Sequence, residues 1–142
     1  MAFAQIHAIS DVCILVADVE RSIHFYVGKL GFRLLHRAPG FADFASAGIT
    51  LAVWEADHLR QHTSLPTASP APGVHQVMIA VHLPAPADVD AAHAELTAKG
   101  VTFETAPADY PWNARCSYFA GPDGELWELY AWREGGAAGK LD

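Results

Sequence analysis

The pattern of apolar and polar residues predicts strands and helices in the order βαβββ. The run from Asp11 to Val16 is β-branched and apolar, which is typical of a buried strand. Asp18 is a suitable N-cap, and the apolar residues after it recur at helical spacing until Gly31, which predicts the helix end. Short apolar segments separated by turn residues then predict strands at 32–37, 42–45 and 49–54.

The same order repeats in the second half of the chain. Residues 74–81 predict a strand, Asp88 a second N-cap and Gly100 a second helix end. Asp18 and Asp88 lie 70 positions apart and the two glycines 69, and such a constant period indicates a duplicated unit. The last three strands are predicted at 101–104, 116–119 and 126–132, with a tight turn before the last at Pro122–Gly124.

The repeat predicts a single α+β domain, residues 1–142, made of two tandem βαβββ modules. Module one is expected at about 8–56 and module two at about 74–133. Residues 57–73, rich in Pro, Ala, Ser and Thr, are expected to be a linker, and 134–142 a flexible tail. One helix covers only one face of a sheet, so the other faces of the two curved mixed sheets are expected to form a ligand cavity between the modules.

Composition and charge exclude several classes of function. Of the 142 residues, 51% are hydrophobic and 18% are charged, as expected for a folded domain. The net charge of −7 and the absence of a Lys/Arg cluster argue against nucleic-acid binding. No apolar run reaches the roughly 18 residues of a membrane helix. The N-terminus does not resemble a signal peptide and only two cysteines are present, so we expect a cytoplasmic protein.

Two segments resemble the signatures of a known family. Residues 14–26 (ILVADVERSIHFY), with Leu30-Gly31-Phe32, are similar to the opening signature of the vicinal oxygen chelate superfamily. Residues 121–129 (GPDGELWEL) are similar to its closing signature. The resemblance covers nearly the whole chain and implies the glyoxalase/bleomycin-resistance/dioxygenase fold, commonly in a homodimer. It leaves the activity open, because this superfamily includes isomerases, epimerases, dioxygenases, thiol transferases and metal-free antibiotic-sequestering proteins.

The resemblance also implies positions for metal ligands, at the first and last strands of each module. These positions fall on Asp11, Ala52, Glu128 and either His75 or Gln76. Ligand chemistry favours His75, whereas strand alternation favours Gln76, and both alternatives stay open. Asp11, His75 and Glu128 would suit one divalent ion (Mn, Fe, Ni or Zn), with Glu128 as the candidate catalytic residue. The other alternative is a metal-free cavity, in which Asp11 caps a strand end and Glu128 forms a hydrogen bond.

Aromatic residues are spread over the strands expected to line the cavity. A flat ligand stacks well between such side chains, although core and interface packing also accounts for some of them. Trp54 and Tyr130 are the strongest candidates, because each lies two residues beyond a predicted ligand position on the same strand face. The set comprises Phe41, Phe44, Trp54, Trp112, Tyr118, Trp127, Tyr130 and Trp132.

Two further residues, Arg115 and His36, complete the predicted ligand-binding set. The loop 109–115 precedes a strand, and the resemblance implies that Trp112 and Arg115 border the pocket there. Arg115 is either a partner for a carboxylate or phenolate of the ligand or a surface residue. His36, near the end of the second strand, is expected at the mouth of the cavity.

These observations support three hypotheses. The first is a metal-free protein that binds an aromatic or hydrophobic small molecule, as the incomplete ligand set and the aromatic strands suggest. The second is a metal-dependent lyase, isomerase or extradiol-type dioxygenase acting on a substrate with vicinal oxygens. The third, weaker hypothesis is metal-free acid/base chemistry by Arg115 or His36. A homodimer is expected in each case.

Overall fold

The structure, a computed structural model, describes residues 2–137. The chain divides between Ser69 and Pro70 into two compact units, and each contains one four-stranded sheet with parallel and antiparallel pairs. This is the predicted α+β fold of two modules. No helix in the described part of the chain is long and apolar enough to cross a membrane.

The first unit has its strands in the order β1-β4-β3-β2, with β1 parallel to β4. The central helix α2 continues directly into a π-helical segment, His24–Lys29. The elements are α1 (Phe3–Ile6), β1 (Asp11–Val16), α2 (Val19–Ile23), β2 (Arg33–Ala38), β3 (Phe41–Ala45), β4 (Thr50–Glu55) and α3 (Ala56–Thr63).

Helix α2, together with its π-helical continuation, begins and ends where the sequence predicts. The Asp18 side chain accepts hydrogen bonds from the backbone N–H groups of Glu20 (2.9 Å) and Arg21 (3.3 Å), which confirms the N-cap. Gly31 has a φ of +79°, a conformation that suits glycine after a helix end. The buried Tyr26 packs its ring 5.5 Å from that of Phe44, so the helix covers the Phe44 face of the sheet.

The second unit repeats this arrangement with the strand order β5-β8-β7-β6 and β5 parallel to β8. The helix α4 packs on β6, β7 and β8. The elements are β5 (Met78–His82), α4 (Pro86–Ala98), β6 (Phe103–Tyr110), β7 (Ala114–Ala120) and β8 (Leu126–Trp132), followed by a 3₁₀ turn at Glu134–Gly136.

Some predicted boundaries are wrong. Helix α4 begins at Pro86, so Asp88 lies in its first turn instead of at the N-cap, and its carboxylate accepts the backbone N–H of Ala85 at 2.9 Å. Strand β6 continues to Tyr110 through register shifts on either side of Thr105, so the predicted loop at 109–115 is only 111–113. Strand β5 begins at Met78, four residues after the predicted start at 74.

The segments predicted as linker and tail contain ordered structure. Helix α3 occupies the first part of the predicted linker 57–73. At the other end, the side-chain amide of Asn113 donates to the backbone carbonyls of Glu134 and Ala137 (2.7 Å to Ala137), which ties down the beginning of the predicted tail. The rest of that tail, 138–142, lies outside the described residues.

The core of the second unit lies between α4 and one face of the sheet. Trp127, Leu129 and Ala131 of β8 are buried on this face, and Phe119 of β7 lies parallel to Trp127 at a ring distance of 6.0 Å. Val89 of α4 is fully buried. Because side chains alternate along a strand, the intervening residues of β7 and β8 project from the opposite face.

Candidate functional site

The face of the second sheet opposite α4 carries the main candidate site, and we call it the open face. Its register follows from strand pairing, because directly paired residues project to the same side. The central pairs are Ala114–Trp132, Cys116–Tyr130, Tyr118–Glu128 and Ala120–Leu126, with Met78, Ala80 and His82 of β5 on one side and Ala108 and Tyr110 of β6 on the other.

Glu128 lies at the centre of the open face and is hydrogen-bonded to its cross-strand partner. The Tyr118 hydroxyl donates to the Glu128 carboxylate. Burial, followed by this bond and the charge of Glu128, raises the pKa of the Tyr118 hydroxyl. Burial and the same carboxylate also raise the pKa of the neighbouring Cys116 thiol. Both groups therefore stay protonated at neutral pH and add no charge beside the carboxylate.

Aromatic rings lie on both sides of Glu128. On one side, Tyr130 stacks on His82 at a ring distance of 5.0 Å and meets Trp132 edge to face at 5.3 Å. On the other, Tyr110 meets Tyr118 edge to face at 6.3 Å. Tyr110 also stacks on Trp112 at 4.6 Å, which places the predicted ligand residue Trp112 beside the open face. Tyr118, Tyr130 and Trp132 are half-buried, so each retains accessible ring surface.

Arg115 lies on the other face of the sheet, which corrects the prediction that it binds a ligand. It pairs across the strands with the fully buried Ala131, and its side chain turns toward α4. Its guanidinium donates to both carboxylate oxygens of Asp90 on α4, at 3.0 and 2.7 Å, and to Asp109 at 3.0 Å. These contacts join α4 and the sheet within the second unit. The Arg115 guanidinium therefore does not lie on the open face.

The corresponding face of the first sheet carries Trp54 and His36, also predicted to bind a ligand. The indole N–H of Trp54 donates to Nδ1 of His58 at 3.0 Å, and Phe41 meets the indole edge to face at 5.6 Å. The exposed His36 pairs with Asp43, with Nδ1 3.0 Å from a carboxylate oxygen. The indole of Trp54 therefore already has a hydrogen-bond partner and an aromatic neighbour within the first unit.

Phe44 and Trp127 do not fit their predicted place in a cavity. Phe44 is fully buried against Tyr26 on the helix-covered face of the first sheet. Trp127 is buried on the α4 side of the second sheet, stacked on Phe119. Both are core residues, because they occupy the strand positions whose side chains alternate toward the helix.

Cys13, on the same sheet face as Ala52 and Asp43, is not an activated nucleophile. Burial of the sulfur and the nearby Asp11 carboxylate raise the pKa of the Cys13 thiol to about 11. Because the thiolate is the reactive form, this side chain is mainly an unreactive thiol at neutral pH.

Within the second unit, the residues predicted to bind metal are not brought together. His75 and Gln76 precede β5, and the residue paired with Glu128 is Ala80. The ring of His75 is bound elsewhere, since Nδ1 donates to the Gly124 carbonyl at 2.8 Å and Nε2 lies 3.6 Å from Glu104. Among residues 2–137, no group of three or more His, Cys, Asp or Glu side chains is arranged to hold a metal ion. The metal site that the resemblance implies stays a prediction, because its remaining member, Asp11, belongs to the other unit.

Two contributors to the open face, Tyr110 and His82, were not predicted, and Tyr118 was predicted only as one of the aromatic residues of the cavity strands, without its position opposite Glu128. Tyr118 could have been found from the turn at Pro122–Gly124, because residues equally distant from a hairpin turn pair across it. That rule places Tyr118 opposite Glu128, as the structure shows. Tyr110 was missed because β6 was predicted to end at residue 104, whereas the strand continues to Tyr110 and pairs it with Ala114.

Comparison with known proteins agrees with this architecture. A family model described as "Glyoxalase/Bleomycin resistance protein/Dioxygenase superfamily" matches residues 6–129, and the chain belongs to this superfamily. A crystal structure of a glyoxalase/bleomycin resistance protein/dioxygenase from Nocardioides is 48% identical, with a TM-score of 0.88 over 96% of this chain and 90% of that one.

More distant relatives share the fold or a short segment. The structure of TioX from Micromonospora sp. ML1 is 28% identical, with a TM-score of 0.65 over 87% of this chain and 98% of that one. A bleomycin resistance protein from Geobacillus stearothermophilus is 44% identical over 41 residues, 29% of this chain. The match spans only 31% of that relative's length.

Proposed function

We propose that this protein binds a flat aromatic small molecule on the open face of its second sheet, without a metal ion. The arrangement of Tyr118, Tyr130 and Trp132 around one hydrogen-bonded carboxylate carries the proposal. Such a mostly aromatic surface with a few polar groups is the usual composition of a small-molecule site. The names of relatives, which include bleomycin resistance proteins, support the same class of function.

Ring contacts supply the expected binding energy. Tyr130 and Trp132 are two residues apart on β8, and Tyr118 lies on the adjacent strand, so their rings border one continuous patch. An aromatic pair in good geometry contributes about 0.5–1.5 kcal/mol beyond the area it buries. Two such contacts are enough to distinguish a planar ligand from an aliphatic one of similar size.

A neutral aromatic probe tests this proposal. Naphthalenemethanol titrated into the protein is expected to bind saturably and to quench tryptophan fluorescence. Tyr130→Ala should weaken binding by about tenfold, because it removes one ring contact and its buried area. The matched control Tyr130→Phe keeps the ring and should bind within about threefold of the original protein. Absence of saturable binding, or equal affinity in the alanine variant, would refute the proposal.

The metal-dependent lyase, isomerase or dioxygenase remains the second candidate function. It is favoured by one observation: Glu128 lies at the last-strand position of the closing signature and carries a half-buried carboxylate. The protein should be exposed to Mn, Fe, Ni and Zn and its bound metal measured, with Glu128→Ala as the control. About one ion per chain, lost in the variant, would replace the metal-free proposal with this one.

We also infer a homodimer and a cytoplasmic location. Strand β5 is an edge strand, and Val77 and Met78 at its beginning are 39% and 52% exposed. Exposed apolar residues beside an unpaired strand edge favour association with another chain. Free thiols at Cys13 and Cys116 agree with a reducing compartment.

A further inference from the structure

The open face has a negative charge, and its described residues include His82 but no lysine or arginine to balance it. Arg115 is the only Lys or Arg within the four strands β5–β8, and it projects from the other face toward Asp90 and Asp109. The Tyr118 hydroxyl, an uncharged group, donates a hydrogen bond to Glu128. Within the described residues, the Glu128 carboxylate therefore has a polar partner but no cationic one.

A half-buried carboxylate in these surroundings favours a positively charged partner. Removing a carboxylate from water is unfavourable unless hydrogen bonds or an opposite charge compensate. Bonds between a carboxylate and a cationic nitrogen are shorter and stronger than those between neutral groups. The rings of Tyr118 and Tyr130 lie beside this carboxylate, and their π faces also attract cations.

We propose that the ligand carries a protonated amine beside its aromatic ring, and that Glu128 binds this nitrogen. The inference rests on the proposed aromatic site and adds the charge of the ligand. The ring would pack against Tyr130 and Trp132, and the ammonium would donate a hydrogen bond to the Glu128 carboxylate. Aromatic acids and phenolates are disfavoured, because they would place a second negative charge beside the first.

Tyr118 is a positioning residue in this arrangement. Its hydroxyl donates to one carboxylate oxygen of Glu128, which limits rotation of the carboxylate. Tyr118→Phe removes the bond but keeps the ring and the charge. The variant should therefore retain the preference for cations while binding the ammonium probe about threefold more weakly.

Three naphthalene probes of similar size separate the effect of charge from that of ring binding: naphthylmethylammonium, naphthalenemethanol and naphthoate, each with its substituent on the same ring carbon. Their affinities are measured by calorimetry for the original protein and for Glu128→Gln. In the original protein we expect the ammonium to bind about tenfold more tightly than the alcohol, and the naphthoate to bind most weakly. Glu128→Gln should bring the ammonium and the alcohol within about twofold of each other, because it removes the charge and keeps the size.

A matched control removes the same charge elsewhere. Glu95 lies on α4 and pairs with Lys99, away from the open face. Glu95→Gln should leave the preference for the ammonium unchanged. Raising the salt concentration to about 0.5 M should reduce the preference without abolishing the binding of the alcohol.

The outcomes distinguish this inference from the function it rests on. If the alcohol binds and depends on Tyr130, but the ammonium binds no more tightly, the aromatic site stands and the cationic ligand is excluded. A preference for the ammonium that persists in Glu128→Gln likewise overturns the role of Glu128. If none of the three probes binds, both proposals fail.

Discussion

Arg115 illustrates how the role of a side chain depends on the face of the strand it occupies. Its neighbours Ala114 and Cys116 belong to the open face, whereas Arg115 projects toward α4 and binds Asp90 through two nitrogens. Such a bidentate pair is among the stronger side-chain ion pairs, although partial exposure reduces its contribution. We therefore assign Arg115 to the attachment of α4 to the sheet.

Replacing Arg115 should reduce stability and leave ligand binding intact. Arg115→Ala is expected to lower the free energy of unfolding by about 1 kcal/mol at neutral pH, because the Asp90 and Asp109 contacts are lost. Urea denaturation measures this change, and naphthalenemethanol affinity should stay within about twofold. An unchanged unfolding free energy together with a large loss of affinity would restore the predicted ligand role.

The same ion pair predicts a pH dependence of stability. The hydrogen bond from Arg115 holds the pKa of the Asp90 carboxyl below its usual value, about 3.9. Because the pKa is lower in the folded protein, the stabilisation is fully present above about pH 4 and is lost as the pH falls through the folded-state value. The difference in stability between the original protein and Asp90→Asn should therefore be constant from about pH 5 to 8 and shrink toward pH 3. Asp57→Asn, which removes an exposed pair with Arg60, is the control and should have little effect.

At the scale of the secondary-structure element, the boundaries of segments with a regular apolar pattern were predicted most accurately. The boundaries of β1 and β8 match the prediction, because each is a continuous apolar run bounded by polar or turn residues. Helix α3 was missed because its residues, Ala56–Thr63, are largely polar and lie beside a Pro-rich stretch. Strand β6 was predicted too short because Pro107 and the register shifts interrupt its alternation.

The candidate site was only partly predictable for the same reason. Glu128 and Tyr130 follow from alternation along one strand, whereas the assignment of Arg115 required the register of β7 against β8. That register depends on the turn between the strands. A prediction from single strands cannot specify which face of β7 meets the carboxylate.

The turn before β8 contains a glycine that no other residue can replace without cost. Gly124 has a φ of +82°, and a Cβ atom there would lie 2.5 Å from the backbone carbonyl oxygen of Val74. Gly124→Ala should therefore lower the free energy of unfolding by about 2 kcal/mol or more, from backbone strain and the close contact together. Urea denaturation is the appropriate measurement.

Gly31 provides the matched control for this substitution. Its φ of +79° is similar, but an added Cβ would have no neighbour within 4 Å. Gly31→Ala should cost about 1 kcal/mol, from backbone strain alone. Equal losses in the two variants would show that the Val74 contact does not limit the residue at position 124.

At the scale of the whole molecule, the internal repeat was the most informative feature. Each half of the chain forms one sheet and one main helix in the same order, so the spacing of caps and glycines predicted the architecture without detailed strand boundaries. Function did not follow from this repeat, because the superfamily supports several chemistries on one fold. The proposed ligand binding depends on which side chains occupy the open face.

The expectation of a dimer rests on strand β5, which lies at the edge of its sheet. Within residues 2–137 it pairs only with β8 and forms the edge of its sheet, and Met78 beside it is 52% exposed. Light scattering on the purified protein should therefore give a mass near twice the 15.3 kDa of one chain. Met78→Lys places a charge at this edge and should shift the mass toward that of one chain upon dilution, whereas Leu65→Lys, at an equally exposed position outside the sheets, should not. A mass of one chain for the original protein would contradict the dimer. A dimer insensitive to Met78→Lys would place the interface on another surface.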